Sequence, residues 1–227
     1  MSELPQGAEK VKAVDDMFDA IAPRYDLLNR LLTFGMDVGW RRRAVKSLQL
    51  SPGSKVLDLA CGTGDLCREL ARRGYRPIGV DRSAGMLASQ RTTAPLVRGD
   101  ALVLPFRSNS VDGVVCGFAL RNFASLKPFL RETARVLRPG GRVALLEVAE
   151  PENTVLRWGH SQYFGKVVPL VGGLLSDRDA YQYLPKSAAY LPPPRRMVAM
   201  LAESGFGNAD RKALSTGIAQ LLTGTRR

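Results

Sequence analysis

The fold is decided by the stretch Lys55-Val56-Leu57-Asp58-Leu59-Ala60-Cys61-Gly62-Thr63-Gly64-Asp65-Leu66. Its apolar residues indicate a buried strand, with Asp58 near the carboxyl end. Gly62 and Gly64 turn the chain tightly, and because they lack a Cβ they let a ligand lie directly against the main chain. Asp65 then opens a helix. Nucleotide-like cofactors bind at such a junction in open α/β sheets, so the stretch predicts a cofactor site.

Beyond this stretch, predicted strands alternate with predicted helices. The strands lie at 55–59, 76–80, 95–98, 111–116 and 142–147, and the helices at 65–73, 83–91 and 126–137. Alternation of this kind builds a parallel sheet with helices on both faces. Residues 206–214 and 217–225 predict a closing antiparallel pair, and residues 138–141 predict a turn. The fold class is therefore α/β, a Rossmann-like, doubly wound, mostly parallel sheet whose last strand is antiparallel.

Four segments are expected within one structural domain. Residues 1–50 form an N-terminal helical cap, with an amphipathic helix over 9–22 and a second helix that begins at Asp37 as its N-cap. Residues 51–150 form the cofactor-binding core. Residues 151–191 form a lid for the substrate, helical over 153–175 and rich in tyrosine over 177–190. Residues 192–227 supply a C-terminal helix and the closing strands.

The composition is strongly basic. Lys and Arg number 33 against 21 Asp and Glu, which gives a formal net charge of +12. This charge favours an anionic partner, either nucleic acid or a membrane surface, or it serves only solubility. The three cysteines lack C-x-x-C spacing, which indicates a reducing compartment without disulfides or a zinc site. The first residues carry no secretory pattern, so we expect a cytoplasmic protein that rests on the inner face of the membrane.

Polar residues follow three of the predicted strands. Asp81 ends the second strand, where an acid can grip ribose hydroxyls, and Asp100 follows the third, where it can accept from an adenine amino group. Arg121 and Asn122 follow the fourth strand, where they can stabilise an oxyanion or orient a substrate oxygen. A helix-cap partner, a turn residue and an arginine bonded to loop carbonyls are the alternative interpretations. A glycine pair alone suits NAD, FAD and S-adenosylmethionine proteins equally.

Longer segments carry a resemblance. They are Phe18-Asp19-Ala20-Ile21-Ala22-Pro23-Arg24-Tyr25-Asp26 with Asn29, Val56 to Asp65, Gly79-Val80-Asp81-Arg82-Ser83, Gly99-Asp100-Ala101, Leu120-Arg121-Asn122, Arg135 to Gly141, and Tyr181-Gln182-Tyr183-Leu184-Pro185-Lys186-Ser187. In these segments the chain resembles the S-adenosylmethionine-dependent methyltransferases, and within them the ubiquinone/menaquinone biosynthesis C-methyltransferases. The likeness runs from about Val14 to the end of the sequence.

This resemblance implies S-adenosyl-L-methionine as the cofactor. The residues it implies as cofactor contacts are Gly62, Thr63, Gly64, Asp81, Asp100 and Ala101. Asp58, Arg82 and Gly117 are further candidates for cofactor binding. Family members often carry Ser at the position of Gly117, so a hydroxyl contact is lost there and only the backbone remains. Arg82 stands where an apolar residue is usual, a change we expect a surface helix start to tolerate.

The implied reaction is C-methylation of a prenylated quinol, with demethylmenaquinol to menaquinol favoured over a ubiquinone precursor. A phenol-type ring becomes a carbon nucleophile when its hydroxyl loses a proton. We hypothesise that Arg121 stabilises the phenolate while Asn122 and Tyr25 fix the ring oxygen or a bridging water. Arginine is a poor proton acceptor, so a water-mediated route to bulk base is favoured.

The isoprenoid tail suits an apolar groove, and the basic surface suits a peripheral membrane contact. Residues expected to line the groove, unless they are plain core, are Leu31, Phe34, Phe164, Val168 and Leu174. No nucleic-acid partner is expected, because aromatic and basic residues are not interleaved in any one segment. A homodimer stays open. The alternatives are an RNA or other small-molecule methyltransferase, a cofactor-binding subunit without turnover and, more distantly, an NAD oxidoreductase.

Overall fold

The computed structural model describes residues 7–163, 165 and 187–227, and a seven-stranded sheet organises them. The strands are β1 (Lys55–Leu59), β2 (Arg76–Asp81), β3 (Leu96–Arg98), β4 (Val111–Gly117), β5 (Leu137–Val148), β6 (Phe206–Leu214) and β7 (Ala219–Arg226). The helices are α1 (Gly7–Ile21), α2 (Tyr25–Leu32), α3 (Met36–Ser47), α4 (Asp65–Arg72), α5 (Ala84–Ala88), α6 (Leu126–Val136), α7 (Thr154–Gln162) and α8 (Pro194–Glu203).

The strand order in the sheet is β3-β2-β1-β4-β5-β7-β6. Strands β1 to β5 pair in parallel, whereas β7 is antiparallel to both β5 and β6. This arrangement confirms the predicted Rossmann-like, doubly wound fold. The chain runs outward from β1 to β3 and then returns to add β4 on the other side of β1. Carboxyl ends of parallel strands diverge at such a reversal and leave a crevice there.

Helices cover both faces because successive strand side chains point in opposite directions. Leu57 points to one face, where the buried core includes Phe129 of α6 and Leu201 of α8. Val56 points to the other face, against Trp40 of α3. The central strands are therefore buried on both sides, as near-continuous apolar runs require.

Helix α1 lies over the carboxyl edge of the sheet. Asp19 of α1 accepts hydrogen bonds from the Ser83 hydroxyl and from the Gly85 amide, the latter at 3.0 Å. Lys10 of α1 donates to the Phe123 carbonyl at 2.9 Å and stands 3.5 Å from the centre of the Tyr190 ring. Burial of this ammonium lowers the pKa of Lys10 to about 8. Polar contacts thus tie α1 to the loops that end β2 and β4.

Two local predictions are wrong. The predicted turn at 138–141 lies inside β5, because Leu137 already pairs with Val111 and the added residues bulge before Arg142 pairs with Gly113. Asp37 is not an N-cap, since Gly35 takes that position with a φ of 73°. The Asp37 carboxylate instead accepts from the Thr33 hydroxyl at 2.9 Å and pairs with Arg41.

Other boundaries shift by a few residues. The predicted helix at 83–91 covers only Ala84–Ala88, although Ser83 caps it as expected and accepts from the Met86 amide at 2.9 Å. Of the helix predicted over 153–175, the structure describes Thr154–Gln162, and the rest lies outside the described residues. Among the described helices, none has both the length and the apolar character needed to cross a membrane.

Candidate active site

An open cleft of about 1040 Å³ lies at the carboxyl ends of β1, β2 and β4, beneath α1. Every predicted site residue except Gly64 and Arg121 lines it. Those that do are Tyr25, Asp58, Gly62, Thr63, Asp81, Arg82, Asp100, Ala101, Gly117 and Asn122. Residues widely separated in the sequence therefore converge at the reversal point of the sheet.

The glycine turn builds the floor of the cleft. Gly62 and Gly64 have φ values of 56° and 91°, and the preceding Ala60 also has a positive φ, of 55°. A non-glycine residue in this region is uncommon, and such strain gathers at functional sites. A Cβ at Gly64 would lie 2.9 Å from the Cβ of Thr92, so this glycine serves the packing of the turn and not the lining of the cleft.

Asp81 is held by backbone donors on both of its oxygens. Oδ2 accepts from the Gly62 amide at 2.7 Å, and Oδ1 accepts from the Ser83 amide at 2.9 Å. Burial raises the pKa of Asp81, while these amide donors oppose the rise. The bond to Ser83 matches the helix-cap alternative. A carboxylate can accept about four hydrogen bonds, so it keeps capacity for a ligand beside its backbone amide donors. Asp81 therefore joins the two loops that flank the cleft and still faces into it.

Arg82 connects two acids at the rim of the cleft. Its guanidinium pairs with Asp100 at 2.8 Å and with Asp15 of α1 at 2.9 Å. The other Asp100 oxygen accepts from the Leu102 amide at 2.9 Å. The unusual arginine at this position thus links the predicted adenine acceptor to the helix above it.

Asp58 lies fully buried beneath the glycine turn. Its Oδ2 accepts from the Cys67 amide at 3.1 Å and from the Cys67 thiol at 3.3 Å. Among the described residues, Oδ1 has no hydrogen-bond partner. Burial raises the pKa of Asp58 to about 7. This carboxyl group is consequently both under-bonded and poised to change its charge near neutral pH.

Asp26 is a site residue that the sequence analysis missed. It is buried, it lines the cleft, and its Oδ1 accepts from the Thr63 hydroxyl at 2.7 Å. Its Oδ2 has no hydrogen-bond partner among the described residues, with the Arg91 Nε at 3.5 Å. The available signal was the adjacent Tyr25, already a candidate. Because Asp26 and Thr63 are 37 positions apart, no local pattern predicts their contact.

Tyr25 lines the cleft, edge to face with Phe18 at 5.7 Å between ring centres. Burial raises the pKa of the Tyr25 phenol, whereas the Arg121 charge, a bond with Asn29 and the Arg41 charge lower it. The tyrosine is therefore a neutral hydrogen-bonding group that lies near two positive charges, those of Arg121 and Arg41.

Arg121 lies behind the wall of the cleft. It is 5% exposed and pairs with Glu147, which is wholly buried at the end of β5. Its Nη1 donates to the Phe118 carbonyl at 2.9 Å and its Nε donates to the Ser187 hydroxyl at 3.1 Å. The bond to Phe118 matches the loop-carbonyl alternative.

The turn after β4 explains why the adjacent Asn122 lines the cleft and Arg121 does not. Phe118 has a φ of 61° and is followed by a single 3-10 turn, Leu120–Asn122, which aims successive side chains in different directions. Glu147 also escaped the sequence analysis, although an acid that ends a buried strand is a usable signal.

Gly117 occupies the position at which a serine was expected. A Cβ there would lie 2.8 Å from the Cδ1 of Leu66. The leucine therefore fills the space that a larger residue at 117 requires. Leu31 and Phe34, predicted to line a groove for the tail, are 51% and 76% exposed, and the other groove candidates, Phe164, Val168 and Leu174, lie outside the described residues.

Comparison with known proteins adds a separate line of evidence. The model of the ubiE/COQ5 methyltransferase family matches residues 6–226. The chain is 43% identical to the demethylmenaquinone methyltransferase of Thermus thermophilus, over 92% of this chain and 100% of that protein. It is 40% identical to the ubiquinone/menaquinone biosynthesis C-methyltransferase UbiE of Geobacter sulfurreducens, over 96% of this chain and 90% of that one.

A solved structure supports the fold alone. An S-adenosylmethionine-dependent methyltransferase from Thermotoga maritima superposes with a TM-score of 0.67 at 15% identity, over 94% of this chain and 99% of that one.

Proposed function

The chain belongs to the ubiE/COQ5 methyltransferase family, and we propose that it transfers a methyl group from S-adenosyl-L-methionine to a ring carbon of a prenylated quinol. Demethylmenaquinol is the proposed acceptor and menaquinol the product. The observation that carries the proposal is the near full-length identity of about 40% to curated proteins of that activity, matched by a cleft at the reversal point of the sheet.

The residues of the cleft fit this donor. Two buried carboxylate oxygens, of Asp26 and Asp58, have no hydrogen-bond partner among the described residues, and a cationic amino group can supply the missing donors. When bound, S-adenosylmethionine supplies an electrophilic methyl group on a sulfonium. In this proposal Asp81 holds the ribose hydroxyls and Asp100, fixed by Arg82, accepts from the adenine.

The backbone between β1 and α4 lies against the rest of the donor. Gly62 and Ala101 leave room for it, Thr63 is held in place by Asp26, and Gly117 offers only its backbone. Holding donor and acceptor in line is worth on the order of 7–11 kcal/mol of the barrier, so positioning is the main task of these residues.

On the acceptor side, Tyr25 and Asn122 bind the ring oxygen or a water bound to it, because both line the cleft. Arg121 acts on the phenolate as a buried positive charge and not through direct contact, which agrees with its effect on the pKa of Tyr25. A bound water carries the hydroxyl proton to bulk base, since a guanidinium accepts none.

A prenylated acceptor brings the protein to a membrane. The described helices include none that could span one, so we propose a peripheral contact. The net charge of +12 favours anionic lipid at that contact.

The purified protein is tested with methyl-labelled S-adenosylmethionine and demethylmenaquinol, followed by mass spectrometry of the quinone. The expected product is heavier than the acceptor by one methylene and carries the label. A demethylated ubiquinone precursor and bulk transfer RNA serve as the competing acceptors. Label in RNA alone, label in the ubiquinone precursor alone, or tight donor binding without turnover on any acceptor each contradicts the proposal.

A further inference from the structure

Large apolar side chains are exposed mainly on two helices. In the described part of the chain, those at the surface of α2 and its C-terminal turn are Leu27, Leu31 and Phe34, and those on α7 are Val155, Leu156 and Trp158. Phe34, Val155 and Trp158 are 76%, 75% and 68% exposed. The remaining large exposed one, Val103, lies elsewhere, in the loop after β3. Scattered single residues need no explanation, but a group on two helices does.

These two helices meet. The ring of Tyr163, at the end of α7, lies 5.7 Å from the ring of Phe34, centre to centre. The Tyr163 hydroxyl donates to the Leu32 carbonyl of α2 at 2.8 Å. We call the exposed residues of α2, its turn and α7 together the α2–α7 face.

The charges on the α2–α7 face have one sign. Helix α7 contains no acid, and the one acid of α2, Asp26, is buried. Glu150 and Glu152, which precede α7, are exposed, and Glu152 pairs with Arg211 at 3.0 Å. Arg157 is exposed and donates to two backbone carbonyls, of Pro151 and Glu152, so no carboxylate neutralises it through those bonds. Arg30 is also exposed, with Asp65 no closer than 3.8 Å.

We propose that the α2–α7 face docks on an anionic phospholipid bilayer. Tryptophan and aliphatic side chains beside arginines, on two helices that expose no acid of their own, suit the boundary between headgroups and acyl chains. An apolar protein partner explains the exposed leucines but not why the exposed residues of both helices include arginines and no acid. Helix α2 also carries Tyr25 and Asp26 into the cleft, so docking brings the cleft beside the bilayer. The inference rests on the proposed function in one respect: a prenylated acceptor is the reason for the cleft to lie beside the bilayer.

The test uses the protein's own fluorescence. Trp158 is exposed and the other tryptophan, Trp40, is buried at 6% exposure, so a change in emission on vesicles reports Trp158. We expect a blue shift and co-sedimentation with phosphatidylglycerol vesicles, weak binding to phosphatidylcholine vesicles, and release by salt. The double variant Leu27→Ser/Val155→Ser should bind anionic vesicles at least about tenfold more weakly, because two side chains lose their burial in lipid. Val103→Ser, which is 75% exposed in the wild type, is the matched control and should bind like the wild type.

Equal loss of binding in the control and the double variant, or none in either, overturns the proposal. The proposal is also overturned if the wild type is a dimer and the double variant is a monomer, because the α2–α7 face is then occupied by a second copy of the chain. Turnover of a short-tailed, soluble demethylated quinol is measured in parallel. If the wild type leaves that quinol unmethylated but still binds vesicles through this face, the proposed function fails and the docking surface stands.

Discussion

The buried pair of Arg121 and Glu147 gives the sharpest test of what this arginine does. Arg121→Ala leaves the wholly buried Glu147 carboxylate without its cation. Removing one partner of a buried ion pair costs about 3–5 kcal/mol, because an uncompensated charge stays inside the protein. Amides of Arg121 and Val148 still donate to this carboxylate, at 3.2 and 2.8 Å, so we expect the lower part of that range.

The free energy of unfolding is measured by urea denaturation followed by circular dichroism. The double variant Arg121→Met/Glu147→Leu serves as the control, since it removes both charges and keeps the volume filled. It should be more stable than Arg121→Ala, as replacement of a whole buried pair is often neutral. A loss below about 1 kcal/mol in Arg121→Ala, or a double variant less stable than the single one, would refute the reasoning.

Turnover in the double variant then separates chemistry from stability. If the Arg121 charge stabilises the phenolate, the double variant stays folded but methylates slowly, with donor affinity unchanged. Wild-type turnover in that variant would leave Arg121 with a purely structural task.

Three further predictions concern the donor side of the cleft. Asp81→Ala should weaken S-adenosylhomocysteine binding by about 2 kcal/mol, close to thirtyfold, and unchanged affinity by calorimetry would rule out a ribose contact. The folded-state pKa of Asp58, about 7, exceeds its ordinary value of 3.8, so its contribution to stability is lost as pH rises through that interval. Asp58→Asn should therefore gain in melting temperature relative to the wild type between pH 5 and pH 8; a constant difference contradicts this. Gly117→Ser should lower the free energy of unfolding by about 1–3 kcal/mol, because the new side chain collides with Leu66. Adding Leu66→Val to that variant should recover part of the loss, as measured in thermal melts.

Much of the fold was predictable from the sequence because its signals are local. Strand β1 lies at Lys55–Leu59 as predicted, because a short apolar run followed by two glycines is typical of a buried strand that ends in a tight turn. The closing strand at Phe206–Leu214 was equally clear. The turn predicted at 138–141 failed because Pro and Gly also suit a bulge, and only the pairing of Leu137 with Val111 decides between them.

The candidate site was predictable where a residue ends a strand. Asp81 and Asp100 reach the cleft for this reason, since strand ends share one edge of the sheet. The direction of Arg121 was not predictable, because it depends on the left-handed Phe118 and the 3-10 turn that follows. Contacts across long stretches of chain, such as Asp26 with Thr63, arise only when helices pack on the sheet.

The three cysteines are all buried, and Cys61 also lines the cleft. Burial and the nearby Asp58 charge raise the pKa of the Cys61, Cys67 and Cys116 thiols far above the ordinary value, so they stay protonated and unreactive in the native protein. Cys67 and Cys116 have no exposed surface, so alkylating reagents reach these two thiols only when the sheet edge opens. The rate of labelling therefore measures how often that edge opens, and a bound donor analogue should slow the labelling.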